Sequence, residues 1–77
     1  YNINLIQGWN LIGFGCESNT NAQLAFLPII QNLIIAKDGL GNVYLPEWNF
    51  NSLGFLNRGY GYLLKVSEEI NNYSICE

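Results

Sequence analysis

The stretch LIIAKDGLGNVYL at residues 33–45 has the pattern of a β-hairpin, and it decides how the rest of the chain is interpreted. Residues 33–37 and 43–45 are apolar and contain β-branched side chains, which favour extended strands. Residues 38–42 between them include glycine, aspartate and asparagine, the residue types that accept the backbone angles of tight turns. The sequence therefore predicts two antiparallel strands joined by a turn at residues 38–42.

Two further strands are predicted before the hairpin. Residues 1–6 alternate between polar and apolar side chains, with Ile3 and Leu5 on one side, which is the pattern of a half-buried strand. Gly8 introduces a bend or a bulge, and residues 9–14 predict a second and more deeply buried strand.

The C-terminal half predicts an irregular segment followed by two strands. Residues 46–57 are rich in apolar side chains without a regular period, so we expect them to fold back over the core as a lid. A turn at residues 58–59 leads into a strand at residues 60–66, and residues 73–76 predict a last short edge strand. Edge strands at both ends of the chain could pair between copies, so self-association is one interpretation of the pattern.

One short helix is predicted between the second strand and the hairpin. Thr20 and Gln23 match the Ser/Thr-x-x-Glu/Gln capping box, which places a helix start at about Ala22. Pro28 removes an amide donor and crowds the preceding turn, so the helix should be short, kinked or in two parts, and Asn32 should end it. The side chains expected on its buried side are Leu24, Phe26, Leu27, Ile29 and Ile30.

This order of elements predicts an α+β fold. We expect a small, mostly antiparallel β-sheet or half-open barrel of about five strands, with one short helix packed against it. Residues 1–77 are interpreted as a single small domain. Since the chain opens on Tyr1 without an initiator Met, we expect an excerpt of a longer protein.

The amino-acid composition argues against a disordered chain, a nucleic-acid-binding protein and a membrane-inserted protein. The chain is 49% hydrophobic and 14% aromatic, which is enough for a packed core and excludes a disordered chain. Its net charge is −3, with only three cations, too few to neutralise a run of phosphates or to bind an anionic lipid surface. No apolar run approaches the roughly 18 residues of a membrane span. We therefore expect neither nucleic-acid binding nor membrane insertion.

Two cysteines, Cys16 and Cys76, lie near the ends of the chain. If they are paired, the closed loop would add roughly 4 kcal/mol to the free energy of unfolding. The alternative is two unrelated buried thiols. Their polar sequence surroundings favour the disulfide, and a disulfide indicates an oxidising compartment.

Residues that could carry catalysis are scarce. The chain has no histidine, so its serines lack the usual general base. Glu68 and Glu69 are adjacent, and on a strand they would face opposite ways. Residues 38–42 offer a single carboxylate to a calcium ion, so a hairpin turn is the favoured interpretation. We expect no enzymatic activity, no metal and no cofactor.

Several aromatic side chains lie near asparagines in the sequence, and they are candidates for binding a ligand. Rings can stack on sugars while amide groups bind the hydroxyls, and the alternative is that the same rings fill the core. The residues considered for this role are Tyr44, Trp48, Phe50 and Tyr60, with Asn49, Asn51 and Asn57 beside them. The smaller set that we select as a possible ligand site is Tyr44, Trp48, Asn49 and Tyr60.

The order of three phrases resembles a known small module. GWN at residues 8–10, YLPEWNFN at residues 44–51 and GYGY at residues 59–62 are similar to a recurrent module of secreted and surface proteins of marine Bacteroidota, and of some phage and viral structural proteins. The resemblance covers nearly the whole chain, although Pro28 departs from its ordinary helix residue. The module has cysteines at the positions of Cys16 and Cys76, so the resemblance implies the disulfide. The resemblance implies no catalytic role.

These observations together predict a non-catalytic structural or interaction module that serves spacing, assembly or adhesion. Its location would be extracellular, at a cell surface or on a virion. Its partners would be other domains of the same polypeptide or other protein subunits. The alternative is a carbohydrate-binding module that uses exposed aromatic side chains and binds glycans.

Overall fold

The computed structural model describes residues 2–76, and β-strands account for most of its regular structure. The elements, in chain order, are β1 (Asn2–Leu5), β2 (Gly8–Gly13), β3 (Thr20–Asn21), α1 (Ala22–Phe26), a 3₁₀ turn (Leu27–Ile29), β4 (Leu33–Lys37), β5 (Val43–Leu45), a second 3₁₀ turn (Pro46–Trp48), β6 (Phe50–Asn51), β7 (Phe55–Leu56), β8 (Gly61–Val66) and β9 (Ile70–Ser74).

The main sheet has five strands in the order β2-β8-β4-β5-β6, and each neighbouring pair is antiparallel. Two-stranded ribbons form from β1 with β9 and from β3 with β7. The sheet is open and does not close into a barrel. The predicted class is therefore confirmed: the fold is α+β and mostly antiparallel, with one short helix.

The core lies on one side of the main sheet. That side, the inner sheet face, is formed by the buried side chains Ile12, Ala36, Tyr44, Tyr62, Leu64 and Val66. The helix covers it with Phe26, whose ring stacks on Tyr44 at a centroid distance of 6.2 Å. The β1–β9 ribbon adds Leu5 and Tyr73 to the same core. Each large apolar side chain buried in this way contributes about 1.5–3 kcal/mol to the stability of the fold.

Tyr73 joins the ribbon to the helix. Its hydroxyl donates a hydrogen bond to the main-chain oxygen of Ala25. Burial raises the pKa of this hydroxyl, so it stays protonated and keeps donating at ordinary pH. The last strand, predicted at residues 73–76, lies earlier in the chain at Ile70–Ser74, and it pairs with β1.

The hairpin at residues 33–45 forms as predicted. Asp38 holds its turn, because its Oδ1 accepts from the backbone N–H of Leu40 at 2.8 Å and of Asn42 at 3.0 Å. Desolvation raises the pKa of Asp38, but these bonds and one from the Asn42 side chain outweigh it and leave the pKa below its ordinary value. Gly41 supplies the positive φ, at 91°.

The helix is in two parts, as Pro28 predicts: α1 is followed at once by the 3₁₀ turn Leu27–Ile29. The predicted buried side is partly wrong, since Leu24 and Leu27 are exposed. The buried positions are Ala22, Ala25, Phe26 and Ile29, which have the helical spacing i, i+3, i+4, i+7. Alanines on that stripe let the helix lie close to the sheet.

The helix cap is Asn21 and not the predicted Thr20. The Asn21 Oδ1 accepts from the backbone N–H of Gln23 at 2.9 Å and of Leu24 at 3.3 Å. The Thr20 hydroxyl instead donates to the main-chain oxygen of Ser18, because Thr20 belongs to β3 and pairs with Leu56. The strand thus continues one residue further than the capping-box pattern indicates.

Two other predictions need correction. β2 is not deeply buried: Ile12 faces the core, but Trp9 and Leu11 on the same strand face outward. The segment 46–57 is not a lid, because it begins with a 3₁₀ turn and then adds β6 to the sheet edge. Of its large apolar side chains, Leu56 is fully buried while Trp48, Phe50 and Phe55 are exposed.

The predicted disulfide is present between Cys16 and Cys76, whose Cα atoms are 5.7 Å apart. It connects the loop after β2 to the segment after β9, across a sequence separation of 60 residues. Cys16 and Ile75, the residue before Cys76, are both part of the core cluster. The bond therefore fixes the β1–β9 ribbon to the main sheet.

Asn21→Ala should lower the free energy of unfolding by about 1 kcal/mol, because two helix N–H groups lose their acceptor. Thr20→Ala is the matched control and should change it by less than about 0.5 kcal/mol. Urea denaturation followed by circular dichroism measures both values. A larger effect at Thr20 than at Asn21 would show that Thr20 caps the helix, as the capping-box pattern predicts.

Replacing both cysteines by alanine should lower the free energy of unfolding by about 4 kcal/mol, because the unfolded chain regains the freedom of a long loop. Chemical denaturation with and without dithiothreitol measures the effect. The reductant should destabilise the native protein and leave the double variant unchanged. Equal midpoints for the native protein in both conditions would contradict the assignment.

Candidate functional site

The candidate site is the side of the main sheet that faces away from the core, here called the outer sheet face. Side chains alternate along a strand, so the residues between the buried positions all point to this side. The register places them in two rows across the sheet. The rows are Trp9–Lys65–Ile35 and Leu11–Leu63–Lys37–Val43, with Leu45 and Phe50 as a third pair at the β5–β6 edge.

The outer sheet face is apolar and uncovered. Leu11 is 75% exposed and Trp9 46% exposed, although both lie within a regular strand. The helix and the β1–β9 ribbon pack on the inner sheet face, so within residues 2–76 this side of the sheet has no second layer. An apolar surface of this kind on a small protein indicates a contact surface.

Two lysines lie close to Trp9, one of the two aromatic side chains of this face. The Nζ of Lys37 lies 5.0 Å and that of Lys65 lies 5.7 Å from the centroid of the Trp9 ring. Each cation–π contact contributes about 0.5–1 kcal/mol at an exposed site. The contacts hold both ammonium groups close to the Trp9 ring, on the side of the face that β2 and β8 form.

Charge is separated between the strands and the loops. The five strands of the main sheet contain no Asp or Glu. The acidic side chains of residues 2–76 lie in loops and turns, namely Glu17, Asp38, Glu47, Glu68 and Glu69. The remaining cation, Arg58, lies in the turn before β8. The strands of the outer sheet face thus carry two cations and no carboxylate, on a chain whose net charge is −3.

The residues predicted as a ligand site do not form one surface. Tyr44 is only 6% exposed and its ring stacks on Phe26, so the prediction that it offers a ring to a ligand is wrong. Trp48 is 76% exposed in the second 3₁₀ turn, which lies beside the start of β4. Asn49 follows it with a φ of 52°. Tyr60 is also exposed, and it immediately precedes β8.

Sheet pairing places Trp48 and Tyr60 far apart. β8 and β4 are antiparallel, and the start of β4 pairs with Val66 at the end of β8. Tyr60 precedes the opposite end of β8, where Gly61 pairs with Gly13. The two exposed rings therefore stand at opposite ends of the main sheet and cannot stack on one sugar.

A shallow groove of about 350 Å³ lies between the end of the helical region and the second 3₁₀ turn. Two of its four polar residues are bonded to each other: the N–H of Ser67 donates to the main-chain oxygen of Asn32 at 2.8 Å, and its hydroxyl donates to the Asn32 side chain at 3.3 Å. Glu47 is the acidic residue on its wall. Gln31 is its other polar residue, and the rest of the lining is apolar.

Residues 2–76 show no metal site and no membrane-spanning helix. No three His, Cys, Asp or Glu side chains of that part of the chain cluster as ligands. No helix within it is long and apolar enough to cross a bilayer. Comparison of the chain with protein-family models, with curated proteins and with solved structures finds no match.

The central residues of the outer sheet face were missed by the sequence analysis, although signals for them are present. Trp9 and Leu11 alternate with polar or buried positions, but all were assigned to a buried strand. Lys37 and Lys65 each lie inside an otherwise apolar strand. A lysine in such a strand indicates that one side of the strand meets solvent.

Leu11→Ala should change the free energy of unfolding by less than about 0.5 kcal/mol, because Leu11 contributes little to the core. Leu64→Ala on the neighbouring strand is the matched comparison: Leu64 is 0% exposed and should cost about 2–5 kcal/mol. Urea denaturation of the two variants measures the difference. Similar losses at the two positions would show that the outer sheet face is structural.

Proposed function

We propose that this chain is a non-catalytic, disulfide-closed structural or interaction module that docks another protein through its outer sheet face. The observation that carries this proposal is an apolar face with Leu11 and Trp9 exposed on regular strands and no second layer over it. A sheet normally packs at least one apolar face, and here the second apolar face remains available. Spacing, assembly and adhesion all require such a surface.

The size of the face sets the strength of the contact. The five strands contain 6, 6, 5, 3 and 2 residues, which at about 3.3 Å per residue and about 4.8 Å between strands give a projected area of roughly 350 Å². A standard interface uses about 800 Å² on each partner. The sheet face alone therefore suits a contact of modest affinity, which becomes strong when several copies are displayed together.

An extracellular, cell-surface or virion location is supported by two observations. The Cys16–Cys76 bond is of the kind that persists in oxidising environments. The GWN, YLPEWNFN and GYGY phrases resemble those of secreted, surface and virion proteins. In this proposal the module is one unit of a longer polypeptide, and its partners are other domains or other subunits.

Carbohydrate binding is less well supported. Of its selected rings, Tyr44 is buried, and Trp48 and Tyr60 lie at opposite ends of the sheet. Trp48 is exposed on its own, and it is not among the residues that line the groove, so ring and groove do not form one sugar site.

A photo-reactive phenylalanine analogue at Leu11 tests whether the face contacts a protein. In the protein's native assembly, irradiation should give a cross-linked species of higher mass from this position. The matched control is the same analogue at Asn71, which is exposed on β9 in the other layer. Mass spectrometry of the products identifies the partner. No cross-link at Leu11, or equal cross-linking at both positions, would contradict the proposal.

A further inference from the structure

Resting on the proposed function, we propose that the outer sheet face selects an acidic, apolar protein surface rather than a second copy of this chain. The argument uses the position of the two lysines and the absence of carboxylates around them. It also uses the apolar character of the rest of the face.

Because of the two lysines, a partner can bury this face favourably only if it also supplies negative charge. A partner that covers Trp9 must also remove water from the ammonium groups of Lys37 and Lys65, which lie 5.0 and 5.7 Å from the ring centroid. Burying a charge without a counter-charge is costly. Since the five strands of the sheet carry no acidic residue, the counter-charge must come from the partner.

The geometry specifies the partner's surface. Both ammonium groups approach the same ring, so the partner carboxylates must lie close together. Two acidic residues at positions i and i+2 of a strand are about 7 Å apart on one face, which suits this arrangement. Apolar side chains around them would contact Leu11 and Leu63, the exposed and half-buried aliphatic neighbours. The partner is thus an acidic patch set in an apolar surface.

A second copy of this chain is disfavoured on charge. Two outer sheet faces packed against each other would bring four ammonium groups into one interface, with no carboxylate from any of the paired strands. Like charges juxtaposed in an interface suppress that pairing. The face therefore discriminates against its own copy.

Two other anionic partners fit the face less well. Nucleic acid needs a run of cations, and this face has two. An anionic glycan would stack on an open aromatic ring, but the lysines lie over the Trp9 ring, and Phe50, the other ring of the face, lies apart from them on the edge strand β6. A polypeptide supplies both the carboxylates and the apolar contacts.

Selection from a phage-displayed random peptide library tests the inference. Peptides selected on the native protein should be enriched in Asp and Glu together with apolar residues. Their affinity should fall at least tenfold on Lys37→Glu/Lys65→Glu, and selection on that double variant should enrich Lys and Arg instead. Arg58→Glu is the control away from the face: it also replaces a cation by a carboxylate, in the turn before β8, and should leave affinity unchanged.

The double variant is checked for folding by circular dichroism, and Lys37→Gln/Lys65→Gln replaces it if the glutamates disturb the sheet. Either variant should weaken the selected peptides without affecting the fold. Peptide binding that is unchanged in the lysine variants would overturn the inference, as would selected peptides without acidic enrichment.

The same experiment separates this inference from the proposed function. Peptides that bind equally well to Leu11→Asp do not use the outer sheet face, and that result defeats the proposed function. Peptides that depend on Leu11 but not on the lysines defeat only the acidic specificity. Lysine-dependent self-association in sedimentation velocity, or lysine-dependent binding of heparin or alginate fragments without peptide binding, would also overturn the inference.

Discussion

The register of β8 between β2 and β4 is the constraint on which the rest of the structure depends. β8 is the central partner of both strands, and its odd and even positions serve different purposes. Tyr62, Leu64 and Val66 enter the core, while Leu63 and Lys65 form the middle of the outer sheet face. A slip of one residue would bury Lys65 and expose Leu64. The core and the candidate site are therefore defined by one pairing.

The helix and the β1–β9 ribbon form the second layer, and three kinds of contact connect this layer to the sheet and its parts to each other. Phe26 and Tyr44 stack at the helix–sheet boundary, the Tyr73 hydroxyl is bonded to the helix, and Cys16 is bonded to Cys76. A domain of this size has a small core and a narrow stability margin, so a covalent connection between the layers carries a large share of it. All three contacts lie on the inner side of the sheet. The outer sheet face is therefore free to serve a function without reducing stability.

Local features of the fold were predictable from the sequence because their causes are local. The hairpin follows from the composition of residues 38–42, and the broken helix follows from Pro28. The alternation of residues 1–6 also identified the strand β1. In each case the deciding residues are neighbours in the chain, so their types fix the backbone without knowledge of distant partners.

The candidate site could not be predicted in the same way. Alternation shows that Trp9 and Leu11 share a side of their strand, but not whether a second layer covers that side. That depends on where the helix and the β1–β9 ribbon pack, and their partners are distant in sequence. Tyr44 and Trp48 show the same limit: both are aromatic and four residues apart, yet one is core and the other is exposed.

The order of strands in the main sheet has a consequence for biosynthesis. β2 ends at Gly13, whereas its partner in the sheet, β8, begins at Gly61. At about 5–20 residues per second, a ribosome needs several seconds to supply that partner. Throughout this delay the nascent strand exposes Trp9, Leu11 and Ile12 with unpaired amides, which is a state prone to aggregation. Chaperone capture of the emerging N-terminal segment would protect it until β8 has been made.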